Sequence, residues 1–258
     1  MIDPKAIVAK QAKIATDVNI GPYAIVDENV EIGSGSWVGS HAIVTGRTKI
    51  GKNNQIFQFA SIGAIPQDKK YDGEDTALEI GNNNIFREFC TINLGTVQGG
   101  GVTKIGNDNL FMNYSHVAHD CMIGNNTVFS NNATLAGHVL VNDHVIFGGF
   151  TKVAQFIRVG AYSFTVGGSD ISKDLLPYVI AGGSFDTAKL YGLNSIGLKR
   201  HGFSEQTLQH LKEAYNTILR KSLTVTQAIT ELEPMLQTCP QIQLFIDLLK
   251  QSKRGILR

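Results

Sequence analysis

The stretch that decides the fold runs from residue 105 to residue 159 and reads, in blocks of six, IGNDNL FMNYSH VAHDCM IGNNTV FSNNAT LAGHVL VNDHVI FGGFTK VAQFIR V. Every block begins with Ile, Leu, Val or Phe, without exception. An equally strict run opens the chain, with a branched aliphatic residue at every sixth position from Ile2 to Ile62. The register is interrupted at about residues 66–78 and 94–104, where the sequence is polar or rich in glycine.

A period of six matches neither an α-helix nor a simple amphipathic strand. Small or β-branched residues recur four places after the aliphatic one, for example Cys121, Thr127 and Ala133. This is the hexapeptide pattern of a parallel β-helix, in which three hexads close a triangular coil of about 18 residues. Glycine and asparagine suit left-handed or tight corners in such a coil. The sequence therefore predicts a mainly β protein, a left-handed parallel β-helix whose two interruptions are external loops.

Beyond about residue 186 the period of six gives way to helical spacing. Ser204 is placed to cap one helix, Thr224 begins a capping box for a second, and Pro240 stands at the start of a third. We therefore expect two domains, a β-helix over residues 1–186 and a C-terminal α-helical domain over residues 187–258. The helical domain would cover the strand edges at the open end of the β-helix.

The charge balance argues against a nucleic-acid partner, because the 258 residues carry a formal net charge of only +1. Residues 196–258 nevertheless hold nine Lys/Arg against five acids, which suits an acidic partner or simply a solvated helix surface. Three cysteines, Cys90, Cys121 and Cys239, form no CxxC pair and favour reduced thiols in the cytoplasm. The chain has neither a signal-peptide pattern nor 18 consecutive apolar residues, so we expect no transmembrane segment.

Histidines are the candidate catalytic residues. The sequence has no Walker A loop, GxSxG elbow or dinucleotide-binding fingerprint, and the glycines at 99–101 are expected to form a flexible turn. Four of the seven histidines, His116, His119, His138 and His144, lie close together in one part of the β-helix. Such enrichment on a rigid scaffold indicates a site.

The length of the coil predicts which residues stack. Gly137 stands one full coil after His119 and Gln155 one full coil after Gly137, so the three form one outward column, with His138 over Asp120. An imidazole beside an exposed glycine N–H suits acyl transfer, since one removes a proton and the other stabilises an oxyanion. Zinc binding by the histidines, or surface histidines without a role, remain open on spacing alone.

Several motifs resemble the UDP-N-acetylglucosamine O-acyltransferases of lipid A biosynthesis, and together they cover essentially the whole chain. They are NYSHVAHD at 113–120, NNATLAGH at 131–138, IFQFASIG at 56–63, residues 67–71, GTVQGGG at 95–101, PYVIA at 177–181 and GLKRHGFS at 197–204. The resemblance implies a homotrimer with active sites in clefts between neighbouring β-helices. It also implies transfer of an (R)-3-hydroxyacyl chain from acyl carrier protein to the glucosamine 3-hydroxyl of UDP-N-acetylglucosamine, with neither cofactor nor metal.

By motif match, the resemblance makes His119 the general base and Gly137 the oxyanion donor, with Asp120 orienting His119. The remaining implied contacts are with the substrates: Gln67, Asp68 and Lys70 in the first loop; His116, His138 and Gln155 near the base; Asn194 and Arg200 toward the nucleotide; and Gly167 beside the acyl chain. The basic C-terminal region would attract the acidic carrier protein.

The sequence departs from the family pattern at a few positions. Asn93 and His201 replace a histidine and an arginine, Ile196 replaces an acidic residue, and the segment 184–192 is about two residues longer. These changes leave open whether the acceptor carries a 3-hydroxyl or a 3-amine. Rival interpretations are a hexapeptide acetyltransferase that uses acetyl-CoA, a zinc protein of the carbonic anhydrase type, and a purely structural β-helix.

Overall fold

A computed structural model describes residues 1–221 and 223–258, except for the side chain of Arg220. Each hexad forms a short strand followed by a turn. Most strands pair in parallel with the strand one coil away, as Ile7 does with Ile25, which confirms a coil of three hexads. The chain is a three-sided, left-handed parallel β-helix, as the period of six predicts.

Three faces make up the β-helix, and each is one hydrogen-bonded sheet. Face 1 consists of Ile7–Val8, Ile25–Val26, Ile43–Val44, Ser61–Ala64, Thr91–Asn93, His116–Val117, Thr134–Leu135, Lys152–Val153 and Asp170–Ile171. Face 2 consists of Lys13–Ile14, Glu31–Ile32, Arg47–Ile50, Ala77–Ile80, Val102–Ile105, Met122–Ile123, Leu140–Val141 and Arg158–Val159. Face 3 consists of Asn19–Ile20, Trp37–Val38, Gln55–Ile56, Ile85–Phe86, Leu110–Phe111, Val128–Phe129, Ile146–Phe147, Phe164–Thr165, Val179–Gly182 and Lys189–Leu193.

The first residues of the hexads point inward and form the core. Phe86, Phe111, Phe129 and Phe147 are fully buried and follow one another along face 3, with ring centroids 4.6 to 4.9 Å apart. Each such ring pair contributes about 0.5–1.5 kcal/mol beyond the burial of its area. The small residue four places later is also inward, as predicted, and Thr127 is completely buried.

The corners are left-handed, as the glycines and asparagines predict, but other residues form them too. Gly35 (φ 72°), Asn53 (φ 55°) and Asn126 (φ 56°) take the expected conformation, and so do aromatic residues such as Phe59 (φ 63°). Many glycines that follow inward aliphatic residues instead allow close stacking of coils: a Cβ on Gly81 would lie 2.6 Å from the carbonyl oxygen of Gly106. At those positions the constraint is steric contact with the next coil.

Both interruptions leave the β-helix as loops, although each loop is shorter than predicted. Paired residues are 30 positions apart across the first loop and 25 apart across the second, so the extra residues are expelled. Strands Ala77–Ile80 and Val102–Ile105 include the last residues of the predicted loop segments. They do so because Leu78 and Thr103 are inward and fully buried. The second loop also contains a 3-10 turn, Val97–Gly99.

The C-terminal part is helical. Its elements are α1 (Ser195–Arg200), α2 (Glu205–Arg220), α3 (Val225–Leu232), the 3-10 turns Glu233–Gln237 and Pro240–Ile242, and α4 (Gln243–Gln251). The predicted cap at Ser204 and the capping box at Thr224 are both present, and Pro240 begins a 3-10 turn that leads into α4. In the part of the chain that the structure describes, no helix is long and apolar enough to cross a membrane.

The junction between the two parts is gradual. Strand Lys189–Leu193 pairs antiparallel with Val179–Gly182 and extends face 3 beyond residue 186, and the first helix begins at Ser195. A domain boundary at residue 186 therefore stays a prediction.

Candidate active site

The candidate site lies on the edge between faces 1 and 2. It is formed by three stacked turns, at residues 119–120, 137–138 and 155–156, which we call the His119 corner. The second residue of each turn is left-handed, with φ between 61° and 66°. The backbone N–H of His138 donates to His119 O, and that of Phe156 donates to Gly137 O. The predicted column of His119, Gly137 and Gln155 is therefore present.

His119 lies over a bare glycine. A Cβ on Gly137 would be 2.5 Å from His119 Cε1 and 2.7 Å from Nε2, so the imidazole occupies the space that a side chain would need. The ring is only 6% exposed. Among the hydrogen bonds of the described residues, none uses the Gly137 N–H. A base and a free amide donor thus lie side by side.

Asp120 fixes the orientation and tautomer of His119. The Asp120 Oδ2 atom is 2.7 Å from His119 Nδ1, which places the ring proton on Nδ1 and leaves the Nε2 lone pair able to accept a proton. The same carboxylate accepts hydrogen bonds from the Thr96 N–H and the Thr96 hydroxyl. Its side chain is 1% exposed, so these contacts replace water.

Two further histidines surround the base. The His138 ring stacks on Phe156 at 4.5 Å and meets the His119 ring edge-on at 5.0 Å. Burial lowers the pKa of His138, and the carboxylates of Asp120 and Asp68 partly oppose this. His116 Nδ1 is 2.7 Å from the hydroxyl oxygen of Thr91, and burial lowers its pKa as well. Both lowered pKa values favour neutral imidazoles beside the base.

The first loop reaches the same corner. The charge of Asp68 acts on His138, and the Asp68 side chain accepts from the Lys70 N–H, which curls the loop locally. Asn93 donates to the carbonyl oxygens of Ala64 and Ile65, where this loop begins. Gln67 and Lys70 are exposed, as is Gln155 at the end of the column.

The other predicted residues lie on different edges. Gly167 is exposed on the edge between faces 3 and 1. Asn194 caps α1 and donates to the carbonyl oxygen of Tyr162, on the edge between faces 2 and 3, and Arg200 is exposed at the end of α1. His144 stacks on Tyr162 at 4.5 Å and so lies away from the other three clustered histidines. One chain does not bring these residues to the His119 corner.

The structure adds residues that sequence reasoning missed. A cavity of about 490 Å³ adjoins Asp120 and His138 and is lined by Phe156, Arg158, Lys253 and Arg254, among others. The Arg254 guanidinium lies 5.3 Å from the Phe156 ring centroid. Phe156 stands one coil after His138 and was predictable from the repeat. Nothing in the sequence indicated that Lys253 and Arg254 lie near this corner.

The histidine–aspartate group also has the composition of a metal site. One ligand atom from each of His119, Asp120 and His138 lies within 4.8 Å of the others. Both oxygens of Asp120, however, already accept hydrogen bonds, and His119 Nδ1 shares Oδ2 with the Thr96 hydroxyl. The three side chains form a hydrogen-bond network with little free ligand capacity, which fits acid–base chemistry better than zinc coordination.

Comparisons with known proteins identify the family of this chain. The family model described as "Udp N-acetylglucosamine O-acyltransferase; Domain 2" matches residues 174–257, and the one described as "Bacterial transferase hexapeptide (six repeats)" matches residues 103–137. The acyl-[acyl-carrier-protein]–UDP-N-acetylglucosamine O-acyltransferases of Thiobacillus denitrificans and Myxococcus xanthus are 51% and 49% identical, and each match covers 100% of this chain and 99% of the relative. The crystal structure of the Moraxella catarrhalis UDP-N-acetylglucosamine O-acyltransferase is 48% identical with a TM-score of 0.96, covering 100% of this chain and 99% of that one. This chain belongs to the family of the acyl-[acyl-carrier-protein]–UDP-N-acetylglucosamine O-acyltransferases.

Proposed function

We propose that the protein transfers an (R)-3-hydroxyacyl chain from acyl carrier protein to the 3-position of UDP-N-acetylglucosamine, the first step of lipid A biosynthesis. The observation that carries this proposal is the His119 imidazole packed against Gly137 and oriented by Asp120, with no hydrogen bond from the Gly137 N–H among the described residues. The arrangement places a base next to an oxyanion donor, as acyl transfer requires.

In the proposed reaction, His119 Nε2 removes the proton of the sugar hydroxyl while its oxygen attacks the thioester carbonyl. The Gly137 N–H donates to the oxyanion of the tetrahedral intermediate, and Asp120 stabilises the imidazolium. The C–S bond then breaks, and His119 returns the proton to the departing thiolate. A new C–O ester bond replaces the thioester, so no cofactor is needed to balance the step.

The acceptor sugar is proposed to lie between the His119 corner and the first loop. Gln67, Asp68 and Lys70 are on that loop, and the charge of Asp68 already acts on His138. His116 and Gln155 would contact the sugar from the other side, away from the first loop. We assign the loop residues and these two to binding the sugar. Burial favours the neutral imidazoles of His116 and His138, each of which can donate one hydrogen bond and accept another.

The donor is proposed to enter from the cavity beside Phe156. Arg158, Lys253 and Arg254 line it, next to the buried catalytic network. The phosphodiester of the carrier protein's prosthetic arm is an anion that such side chains bind well. The basic residues of the helical domain would attract the acidic carrier protein from a distance.

Each full site is proposed to lie between two neighbouring chains of a homotrimer. Gly167, Asn194 and Arg200 lie on edges other than the His119 corner, and a neighbouring β-helix in a homotrimer would supply them to it. Arg200 would then pair with a phosphate, and a hydrogen of the Asn194 amide remains for the nucleotide. A Cβ on Gly167 would have its nearest neighbour at 3.4 Å, which leaves room for the acyl chain.

We also place the reaction in the cytoplasm. Cys90, Cys121 and Cys239 are free thiols in the structure, and burial raises the pKa of Cys90 and of Cys121 to about 12. Reduced, unpaired cysteines are typical of that compartment.

A transfer assay with UDP-N-acetylglucosamine and a panel of 3-hydroxyacyl carrier proteins tests the proposal. We expect product from the wild type and a loss of about a hundredfold or more in kcat for His119→Ala, the scale of a general base. His41→Ala is the matched control, since His41 lies on a distant coil between the rings of Tyr23 and Phe59.

Two results would overturn the proposal. If the wild type transfers only from acetyl-CoA, or only to a 3-amino sugar, the donor or the acceptor is wrong. If His119→Ala retains full activity, the assignment of the base is wrong.

A further inference from the structure

We propose that Thr96 is a positioning residue that holds the Asp120 carboxylate in place and, through it, the orientation of the His119 ring. Its catalytic consequence rests on the proposed function, whereas its effect on the hydrogen bond between Asp120 and His119 does not. Thr96 lies in the second external loop, more than a full coil before His119 in the sequence, and among the described residues it makes no hydrogen bond to His119.

Thr96 makes two hydrogen bonds to one carboxylate. Its N–H donates to Asp120 Oδ1 at 2.7 Å and its hydroxyl donates to Oδ2 at 2.6 Å. His119 Nδ1 is 2.7 Å from the same Oδ2. Three donors therefore hold both carboxylate oxygens, and two of them come from Thr96. Thr96 is itself 1% exposed, so water does not compete for these bonds.

The loop is built to hold Thr96 in this position. The Thr96 hydroxyl also accepts from the Gly99 N–H and caps the 3-10 turn Val97–Gly99. Gly99 packs directly on Asp120, and a Cβ there would collide with the carboxylate carbon. Thr103, where the chain re-enters face 2, accepts the Asp120 backbone N–H at 2.8 Å. The second loop thus closes over the buried face of the aspartate.

This contact has a defined electrostatic consequence. Hydrogen bonds from Thr96 stabilise the ionised carboxylate and draw part of its charge away from His119. Without the hydroxyl, Oδ2 loses one of its two donors, so the carboxylate can turn and its hydrogen bond to His119 Nδ1 changes. The other titratable groups near the ring are His138, whose ring meets it edge-on, and His116, whose pKa it helps to lower. Asp68 acts on His138 from the first loop.

Thr96→Val tests the hydroxyl alone, because valine keeps the side-chain shape and the backbone N–H. We expect kcat to fall about tenfold with KM nearly unchanged, the scale for losing one hydrogen bond to a charged, orienting group. Thr96→Ser, which retains the hydroxyl, is expected to restore kcat.

A second measurement is independent of activity. NMR of the unliganded protein should show a shifted resonance for the His119 Nδ1 proton in Thr96→Val, compared with the wild type and Thr96→Ser, because its acceptor Oδ2 has lost a donor. Thr103→Val is the structural control, because it perturbs the same turn through the Asp120 backbone N–H and leaves the carboxylate bonds in place. It should lower the thermal midpoint and leave the His119 Nδ1 resonance unchanged.

The outcomes separate the two proposals. An inactive wild type whose His119 Nδ1 resonance still shifts in Thr96→Val overturns the proposed reaction and keeps the role of Thr96. Full kcat in a folded Thr96→Val, or a loss of kcat that matches the Thr103→Val control with an unchanged Nδ1 resonance, overturns the role of Thr96.

Discussion

Gly137 has no side chain to displace the His119 ring, and we propose that its N–H is the oxyanion donor. Gly137→Ala introduces a Cβ about 2.5 Å from His119 Cε1, so the ring must move. The φ of Gly137 is not in the left-handed region that disfavours alanine. We therefore expect a folded protein with kcat lower by about a hundredfold, the usual effect of displacing a reacting group by about 1 Å.

Gly149→Ala is the matched control for that prediction. Gly149 has the equivalent turn position on the edge between faces 3 and 1, where a Cβ would approach Asn131 O no closer than 3.4 Å. Steady-state kinetics and thermal midpoints of the two variants make the comparison. If Gly137→Ala is as active as Gly149→Ala, the His119 ring can accommodate the added methyl group, and the prediction is wrong.

Among the secondary-structure elements, the C-terminal tail is bonded to the β-helix through the buried Asp174. Asp174 is 1% exposed; its side chain accepts from the Arg158 N–H and the Ser252 hydroxyl. Its backbone pairs with Gly255 and Leu257 on the tail. These bonds hold Lys253 and Arg254 beside the His119 corner, although the tail and the corner are far apart in sequence.

Reversing the two tail charges should impair use of the donor. In Lys253→Glu/Arg254→Glu we expect KM for the acyl carrier protein to rise about tenfold, because two unfavourable charges replace two favourable ones at a partly exposed surface. KM for the UDP-sugar should change much less, and the defect should shrink as salt is added. Kinetics at two ionic strengths measure both effects.

Lys10→Glu serves as the control, since Lys10 is exposed near the opposite end of the β-helix. Equal increases in KM for both substrates in the double variant would contradict a donor-side role. The tail would then matter only for the general shape of the cavity.

At the scale of the whole molecule, a three-sided prism presents its edges in three directions. His119 lies on one edge, Gly167 on another, and Arg200 near the third. A rigid β-helix cannot fold these edges together, because each coil is bonded to the next along every face. Contact between them therefore calls for a neighbouring copy.

Mixed assemblies test this directly. His119→Ala and Arg200→Ala should each be nearly inactive alone, whereas refolding them together should restore about a quarter of the wild-type sites if each site joins two subunits of a cyclic trimer. Light scattering should give about three times the chain mass of 28.0 kDa. A monomeric mass, or a mixture as inactive as its parts, would rule out the shared site.

The sequence by itself was enough to predict the architecture and to bring together the residues at the centre of the candidate site. A strict period of six specifies which residue of each hexad points inward, and a constant coil of three hexads places Gly137 next to His119 and His138 next to Asp120. Loop insertions do not disturb the stacking of one coil on the next, since the β-helix expels them. Helix caps such as Ser204 were equally readable, because capping depends on residues only three positions apart.

Only the tertiary structure decided which distant segments complete the corner. Thr96 reaches Asp120 because a loop folds back over it, and Lys253 and Arg254 reach Phe156 because Asp174 holds the tail. Neither contact follows a period, and each depends on the path of a non-repeating segment, which is set by packing and by a few buried hydrogen bonds. Regular local spacing can be read along the chain, whereas contacts between irregular segments exist only once the chain has folded.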